Sequence, residues 1–243
     1  MPARSSTLHS PTDGPDTSEA ARRYDGDVDP AARSDLARVW ALVPIRGLET
    51  AKTRLGGGLD AEERRDLVVD LLRRTLVASR DARRIAGTIV VTMDPAAAGI
   101  AREHRAIGLV EGAPGLNSAI AAARSLAVAR GATAVLVLPA DLPAISAPAI
   151  DAILDAADNI QNEVASGLVA LITDQHGQGT NALLISPPGR IDPQFGPGSR
   201  ELHRVAAAGA GAAFIELDGP LALDVDTTDD LEVAEAALGA LRG

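Results

Sequence analysis

The rhythm of hydrophobic and polar positions changes at about residue 39. Before it, Ser, Thr, Pro, Asp and Arg predominate and apolar residues never run together. From Trp40 onward, short apolar runs alternate with longer segments whose apolar residues recur every three or four positions. The first run, residues 40–45, reads as a strand. A helix is expected from Asp60, because Asp60 and Glu63 form a capping box and Leu67, Leu71, Leu72 and Leu76 fall at helical spacing. The alternation continues with a strand at 87–93, a short helix at 96–104, a short strand at 107–110, a helix at 116–130, a strand at 134–138 and a helix at 147–158. The run Ala134-Val135-Leu136-Val137-Leu138 is apolar at every position, as expected of a strand covered by helices on both faces.

The second half is richer in strands, at 168–172, 181–185, 213–217 and 223–225, with Gly- and Pro-loaded loops between them and a closing helix at 228–241. Some antiparallel pairing is expected at that end of the sheet. The fold class is α/β with a mixed, mostly parallel sheet, one domain over 39–243 preceded by a disordered N-terminal extension over 1–38.

Composition narrows the function classes. A chain of 243 residues, 46% hydrophobic, can bury one sizeable core, and with 2% aromatics that core is built from Ala, Val, Leu and Ile. A net charge of -10 with no block of Lys and Arg repels phosphate backbones, which argues against a nucleic-acid partner. The absence of Cys excludes disulfides, thiolate zinc sites and cysteine nucleophiles. Neither a secretory apolar stretch of roughly 7 to 15 residues nor a membrane-length run occurs, so no membrane partner and a soluble, cytoplasmic protein are expected.

Against that acidic background, four groups could carry chemistry. Asp141 follows a buried strand, and Asp224 and Asp226 alternate in Leu-Asp-Val-Asp-Thr, which in a strand would put two carboxylates on one face. Oxygen ligands of this kind suit magnesium. The plainer alternative is that Asp141 and Asp226 cap the helices that follow. The loop after the first strand carries Arg46, Lys52 and Arg54, three cations able to embrace a triphosphate, or else a solvated basic loop. It lacks the glycines of a Walker A loop. Gly179-Thr180-Asn181 and Phe195-Gly196-Pro197-Gly198-Ser199-Arg200 offer a Gly-rich turn feeding a helix, an anion site or an ordinary cap, with Ser199 as N-cap and ligand together. Asn117, at a helix start, could read a nucleobase or ribose, or cap that helix. Of the four His residues, His203 stands one turn past Ser199, and none shows metal spacing.

Taken in order, these segments resemble the 2-phospho-L-lactate/phosphoenolpyruvate guanylyltransferases, called CofC in archaea and FbiD in actinobacteria. The text that carries the likeness is Val43-Pro44-Ile45-Arg46 with Ala51-Lys52-Thr53-Arg54-Leu55, Leu116-Asn117-Ser118-Ala119-Ile120, Asp141-Leu142-Pro143, Gly179-Thr180-Asn181, Phe195-Gly196-Pro197-Gly198-Ser199 with His203, and Asp224-Val225-Asp226-Thr227. The resemblance implies a Rossmann-like nucleotidyltransferase domain, a three-layer sandwich of the nucleotide-diphospho-sugar transferase kind. It implies GMP transfer from GTP to a small phosphorylated carboxylic acid in the synthesis of coenzyme F(420), with an unstable product handed to the next enzyme of that pathway.

By the same resemblance Asp141, Asp224 and Asp226 hold two magnesium ions, and Thr180, Gly196 and Ser199 hold the acid. Arg46, Lys52, Arg54 and Asn117 fall to the GTP side, with Lys52 and Arg46 also assisting the departing pyrophosphate. The Ala- and Arg-rich, Lys-poor composition suggests a bacterial member, for which phosphoenolpyruvate is the expected acceptor. 2-Phospho-L-lactate and 3-phosphoglycerate are the alternatives. A sugar-phosphate or molybdenum-cofactor relative would open with a Gly-rich loop where Pro44-Ile45-Arg46 stands. A metal-dependent glycosyltransferase would carry its Asp-x-Asp in mid-domain rather than near the C-terminus.

Overall fold

The structure, a computed structural model, describes residues 36–49, 59–112, 115–161, 166–225, 230 and 232–233. Lys52, Arg54, Asp226 and most of the expected extension and closing helix lie outside the described residues. Asp230, Glu232 and Val233, within the expected closing helix, are helical. The elements run β1 (Val39–Pro44), α1 (Ala61–Asp81), β2 (Ile85–Thr92), α2 (Pro95–Glu103), β3 (Ile107–Val110), α3 (Leu116–Ala129), β4 (Ala134–Val137), α4 (Ala147–Gln161), β5 (Leu168–Ile172), β6 (Ala182–Ser186), α5 (Ser199–Gly209) and β7 (Ala213–Glu216), then a 3-10 turn at Pro220–Ala222.

The seven strands form one sheet in the order β3-β2-β1-β4-β6-β5-β7. β1 pairs parallel with β2 and β4, and β2 with β3. β6 runs antiparallel to both β4 and β5, and β7 runs parallel to β5. Six strands therefore share one direction and β6 alone is reversed, which is the mixed pairing expected at that end.

Strand periodicity divides the core between two faces. Ala134 and Leu136 of β4, Leu168 and Ala170 of β5, and Ala182 and Leu184 of β6 pack with Ile150, Ile153 and Leu154 of α4. Val135, Val137, Val169, Leu171, Leu183 and Ile185 point the other way, toward Ile120 and Ala123 of α3 and Ala207 of α5. α1 and α2 cover Val43 and Val90 through Val68, Leu72, Leu76, Ala97 and Ala101. The central strands β1, β4, β5 and β6 are buried on both sides, which is why they read as nearly unbroken apolar runs. The core also reaches back beyond residue 39, since Leu36 is buried in it.

Local chemistry sets the helix starts. Asp60 caps α1, its carboxylate accepting from the peptide N–H groups of Glu62 and Glu63 while Glu63 Oε2 accepts from Asp60 N at 2.8 Å. α2 opens with Asp94 as cap and Pro95 in its first turn. One expected element is absent: residues 223–225 form no strand. Instead Val225 N donates to Asp141 O at 3.1 Å, and the carbonyls of Leu221 and Ala222 accept from Asn181 Nδ2 at 3.0 Å each. A side-chain amide satisfies the polar backbone that a neighbouring strand would otherwise have paired.

Two substitutions test this frame by chemical denaturation. Gly108→Ala would drive a Cβ to 2.4 Å from the backbone oxygen of Ala98 in α2, an overpacking expected to cost about 1–3 kcal/mol. Asp60→Ala removes the cap of α1 and should cost about 1 kcal/mol. Wild-type midpoints in both variants would show that neither contact holds the fold.

Candidate active site

A cleft of about 750 Å³ lies where β1, β2 and β3 end, lined among others by Arg46, Leu48, Thr92, Asp94, Glu111 and Leu116. Its position follows from topology. β1 connects outward to β2 while β4 lies on its other side, and ligands of open α/β sheets bind beyond the carboxyl ends of the strands at such a reversal. Arg46 is exposed at the cleft. Asp94 was not singled out by sequence. Its Oδ2 accepts from Leu48 N at 3.0 Å and its Oδ1 from Ala96 N at 2.8 Å, so one carboxylate ties the loop after β1 to the start of α2. The Leu48 hydrogen bond, then those from Ala96 and Ala97, hold its carboxyl below the usual carboxylate range against a smaller opposing effect of burial. Asp-Pro at a helix start was the available sequence signal. Arg65, in the cleft wall on α1, had none.

The acids lie where β4, the neighbour of β1, ends. Ala140, next to Asp141, packs in the same cluster as Ile45 after β1. The hydrogen bond from Val225 N to Asp141 O brings Asp224 to the end of β4, and Asp224 Oδ1 lies 3.3 Å from Asn181 Nδ2. Asp141 is not the cap of α4: Ser146 Oγ accepts from Ala149 N at 3.3 Å and occupies that role. Among the described residues no three His, Asp or Glu form a metal-sized group, and the third expected acid, Asp226, falls outside them.

The anion turn is assembled from three places. Gly196 and Gly198 have φ of 129° and 71°, a region where glycine is favoured. Gly198, not Ser199, is the N-cap of α5, and Ser199 is its first residue. Ser199 is thereby released from capping, and its Oγ donates to Thr180 Oγ1 at 2.9 Å. Thr180 also contacts His203 Nδ1 at 3.1 Å, and His203 Nε2 accepts from Gln194 N at 2.8 Å. Ser199, His203 and Thr180 are 1%, 0% and 7% exposed, although all three are polar. Burial pushes the His203 imidazole down to about 4, so it is neutral at physiological pH.

Neither Asn117 nor Ser118 caps α3, whose N-cap is Gly115. The Asn117 amide instead pairs with both backbone groups of Phe195: Phe195 N donates to Oδ1 at 2.8 Å and Nδ2 donates to Phe195 O at 3.1 Å. Two turns along α3, Arg124 donates to Ile191 O at 2.9 Å and to Asp192 Oδ1 at 2.7 Å. Residues 117 and 124 share a face of the helix, and together they hold the 191–195 segment against it. The structure thus brings Asp224 to Asp141 through a backbone hydrogen bond of Val225, joins Thr180 with Ser199 and His203, and joins Asn117 with Phe195, while Arg46 stays in the cleft.

Comparison with known proteins bears on the family and the fold. The family model "Guanylyl transferase CofC like" matches residues 39–235. The phosphoenolpyruvate guanylyltransferase of Sphaerobacter thermophilus is 39% identical over 203 residues, covering 82% of this chain and 95% of its own. That of Rubrobacter xylanophilus is 40% identical over 205 residues, covering 83% and 95%. Among solved structures, one from Desulfovibrio desulfuricans G20, described as a candidate nucleotide-diphospho-sugar transferase, superposes with a TM-score of 0.62 at 16% identity, covering 80% of this chain and 85% of that one. The 4-diphosphocytidyl-2C-methyl-D-erythritol synthase of Anaerococcus prevotii gives 0.56 at 13%, covering 84% and 97%. These structures bear on the fold alone, which is that of the nucleotidyltransferases.

The buried imidazole makes stability depend on pH. His203 stays neutral in the fold down to about pH 4 but takes a proton near its ordinary 6.5 when unfolded. The unfolded state therefore binds more protons between those values, and stability falls as pH falls through that window. Denaturant titrations at pH 7, 5.5 and 4.5 should show a steeper loss for wild type than for His203→Gln. Parallel losses in the two proteins would exclude His203 as the source.

Proposed function

The chain belongs to the CofC-like guanylyl transferase family, and we propose that it transfers GMP from GTP to phosphoenolpyruvate, giving enolpyruvoyl-2-diphospho-5'-guanosine and diphosphate, with magnesium held by Asp141, Asp224 and Asp226. The observation that carries the reading is the pairing of a cleft beyond β1–β3 with a separate turn at Thr180 and Ser199, next to which Asn181 bonds Asp224 and Val225 bonds Asp141. Two anionic substrates need two pockets and something between them to lower their repulsion. The family and the relatives named above supply guanylyl transfer and phosphoenolpyruvate. The place of the reaction in coenzyme F(420) synthesis, with hand-over of an unstable product to the next enzyme, belongs to the same proposal.

The residues divide the work. Thr180, Gly196 and Ser199 bind the phosphorylated acid in the turn before α5. Arg46, with Lys52 and Arg54 from the same loop, meets the triphosphate and the departing pyrophosphate. Asn117 stands between the two, at the cleft end of α3 but bonded to Phe195, and so sets the acceptor turn at a fixed offset from the nucleotide. The oxygen donors of Asp141 and Asp224 suit magnesium, a hard cation. When bound there, it would neutralise charge on both phosphates. In the reaction an oxygen of the acceptor phosphate forms a bond to the α-phosphorus of GTP. The bond from that phosphorus to the bridging oxygen breaks, and pyrophosphate leaves with the electron pair. The acceptor phosphate is already anionic at neutral pH, so no side chain has to remove a proton, and rate is gained by alignment.

Pyrophosphate release measured with GTP against phosphoenolpyruvate, 2-phospho-L-lactate and 3-phosphoglycerate in parallel tests the acceptor. Phosphoenolpyruvate should give the largest kcat/KM, and equal values for the three acids would defeat that choice. Chelation of magnesium should abolish turnover. Asp224→Ala should lower kcat/KM by about a hundredfold or more, and full magnesium-dependent release by that variant would sink the metal assignment.

A further inference from the structure

His203 is buried beneath the anion turn, and both its ring nitrogens have polar partners. The peptide N–H of Gln194 has only a proton to offer, so Nε2, 2.8 Å away, is the unprotonated nitrogen. In the neutral ring the proton is then on Nδ1, and His203 donates it to Thr180 Oγ1 at 3.1 Å. A flipped ring would set carbon atoms against both partners. The ring of Phe195 lies edge-on to the imidazole, with centroids 5.3 Å apart and planes at 72°, and helps hold it.

The proton count of this group has a functional consequence. Thr180 Oγ1 accepts from His203, and the single link between the Thr180 and Ser199 hydroxyls uses one hydroxyl proton, whichever of the two gives it. One hydroxyl proton remains, and no acceptor for it is found among the described residues. A buried hydroxyl proton requires an acceptor. With the opposite tautomer, Thr180 would donate to the ring and Ser199 to Thr180, and the pair would present only lone pairs. Lone pairs repel a phosphate or carboxylate, whereas an O–H makes a charge-assisted hydrogen bond to it.

We propose that the Gln194 peptide, acting through His203, makes the Thr180–Ser199 pair an obligate hydrogen-bond donor to an anionic oxygen of the acceptor acid. His203 is thus a positioning residue that sets the direction of a proton it does not itself transfer. The inference rests on the reading of this turn as the acceptor site.

Two near-isosteric substitutions separate the bonds of the ring. In His203→Gln the side-chain oxygen can replace Nε2 and keep Gln194, but nothing donates to Thr180. In His203→Asn the side-chain nitrogen can replace Nδ1 and keep Thr180, but Gln194 loses its acceptor. Steady-state kinetics with GTP and phosphoenolpyruvate, with calorimetric binding of phosphoenolpyruvate and thermal melting alongside, read the difference. His203→Gln should raise KM for phosphoenolpyruvate about tenfold and leave KM for GTP unchanged, while His203→Asn returns the value toward wild type. Thr180→Val should cost as much, and His203→Gln should add nothing on that background, because both act on one proton. Equal increases in both KM values, effects that follow the melting temperature alone, or additive effects in the double variant would overturn the role of His203. Wild-type protein that neither binds nor turns over phosphoenolpyruvate would overturn the acceptor reading and this inference together. An active wild type with an unaffected His203→Gln overturns only the inference.

Discussion

The reversal of β6 is the constraint on which the site depends. In a purely parallel sheet, only the residues that follow strands gather at the ligand-binding edge. β6 enters between β4 and β5 in the opposite direction, so the residues that precede it, Thr180 and Asn181, arrive at that same edge beside Asp141, which follows β4. Alternate side chains of an extended chain point to opposite sides. Thr180 therefore turns to Ser199 and His203 while Asn181 turns to the Leu221–Asp224 segment. One dipeptide sets the spacing between the anion turn and the carboxylates, and that spacing is what a reaction between two bound phosphates requires.

Legibility in the sequence followed the range of the interactions. Elements whose causes are local could be read: the Asp60–Glu63 box of α1, the apolar run of β4, and the Gly-rich turn before α5. The strand expected at 223–225 was misread because alternation along a chain does not say what will pair with it. There Val225 N donates to Asp141 O, and the carbonyls of residues 221 and 222 just before accept from the amide of Asn181, about forty residues away in sequence. The same limit applies at Ser199, where the cap position passed to Gly198 once the hydroxyl was committed to Thr180. Asn117 illustrates it from the other side: its type and its position at a helix start were legible, but not that both arms of its amide would close on the backbone of Phe195, across 78 residues. Residue types that can do chemistry were visible in the chain, and their pairings became visible only with the sheet order.

Electrostatics explain why the two pockets are built differently. With a net charge of -10, the chain does not attract anions at long range, so each anion has to be held by local donors. In the proposed reading, the loop after β1 supplies formal positive charge to the more highly charged partner, the triphosphate. The turn before α5, by contrast, is formed from hydroxyls, glycine backbone and a neutral imidazole. Fixed cations in both pockets would bind both substrates tightly without distinguishing ground state from transition state. Neutral, directed donors would hold an acceptor phosphate while leaving its attacking oxygen electron-rich, which is where reactivity lies.

Rigidity between the pockets then becomes the remaining requirement, and α3 meets it. Its first turn lines the cleft through Leu116 and Ala119, while Asn117 and Arg124 grip the 191–195 segment that leads into the turn before α5. Its opposite attachment is the core, through Ile120, Ala123 and Ala127. A displacement of either pocket relative to the other would have to break two backbone-directed hydrogen bonds at Phe195 or expose that buried face. Since in-line attack tolerates little error in the distance between nucleophile and phosphorus, a packed helix bonded to both pockets serves the reaction better than a flexible connection. α3, which packs with α5 on the sheet's second face, would also set the separation of the two proposed substrates.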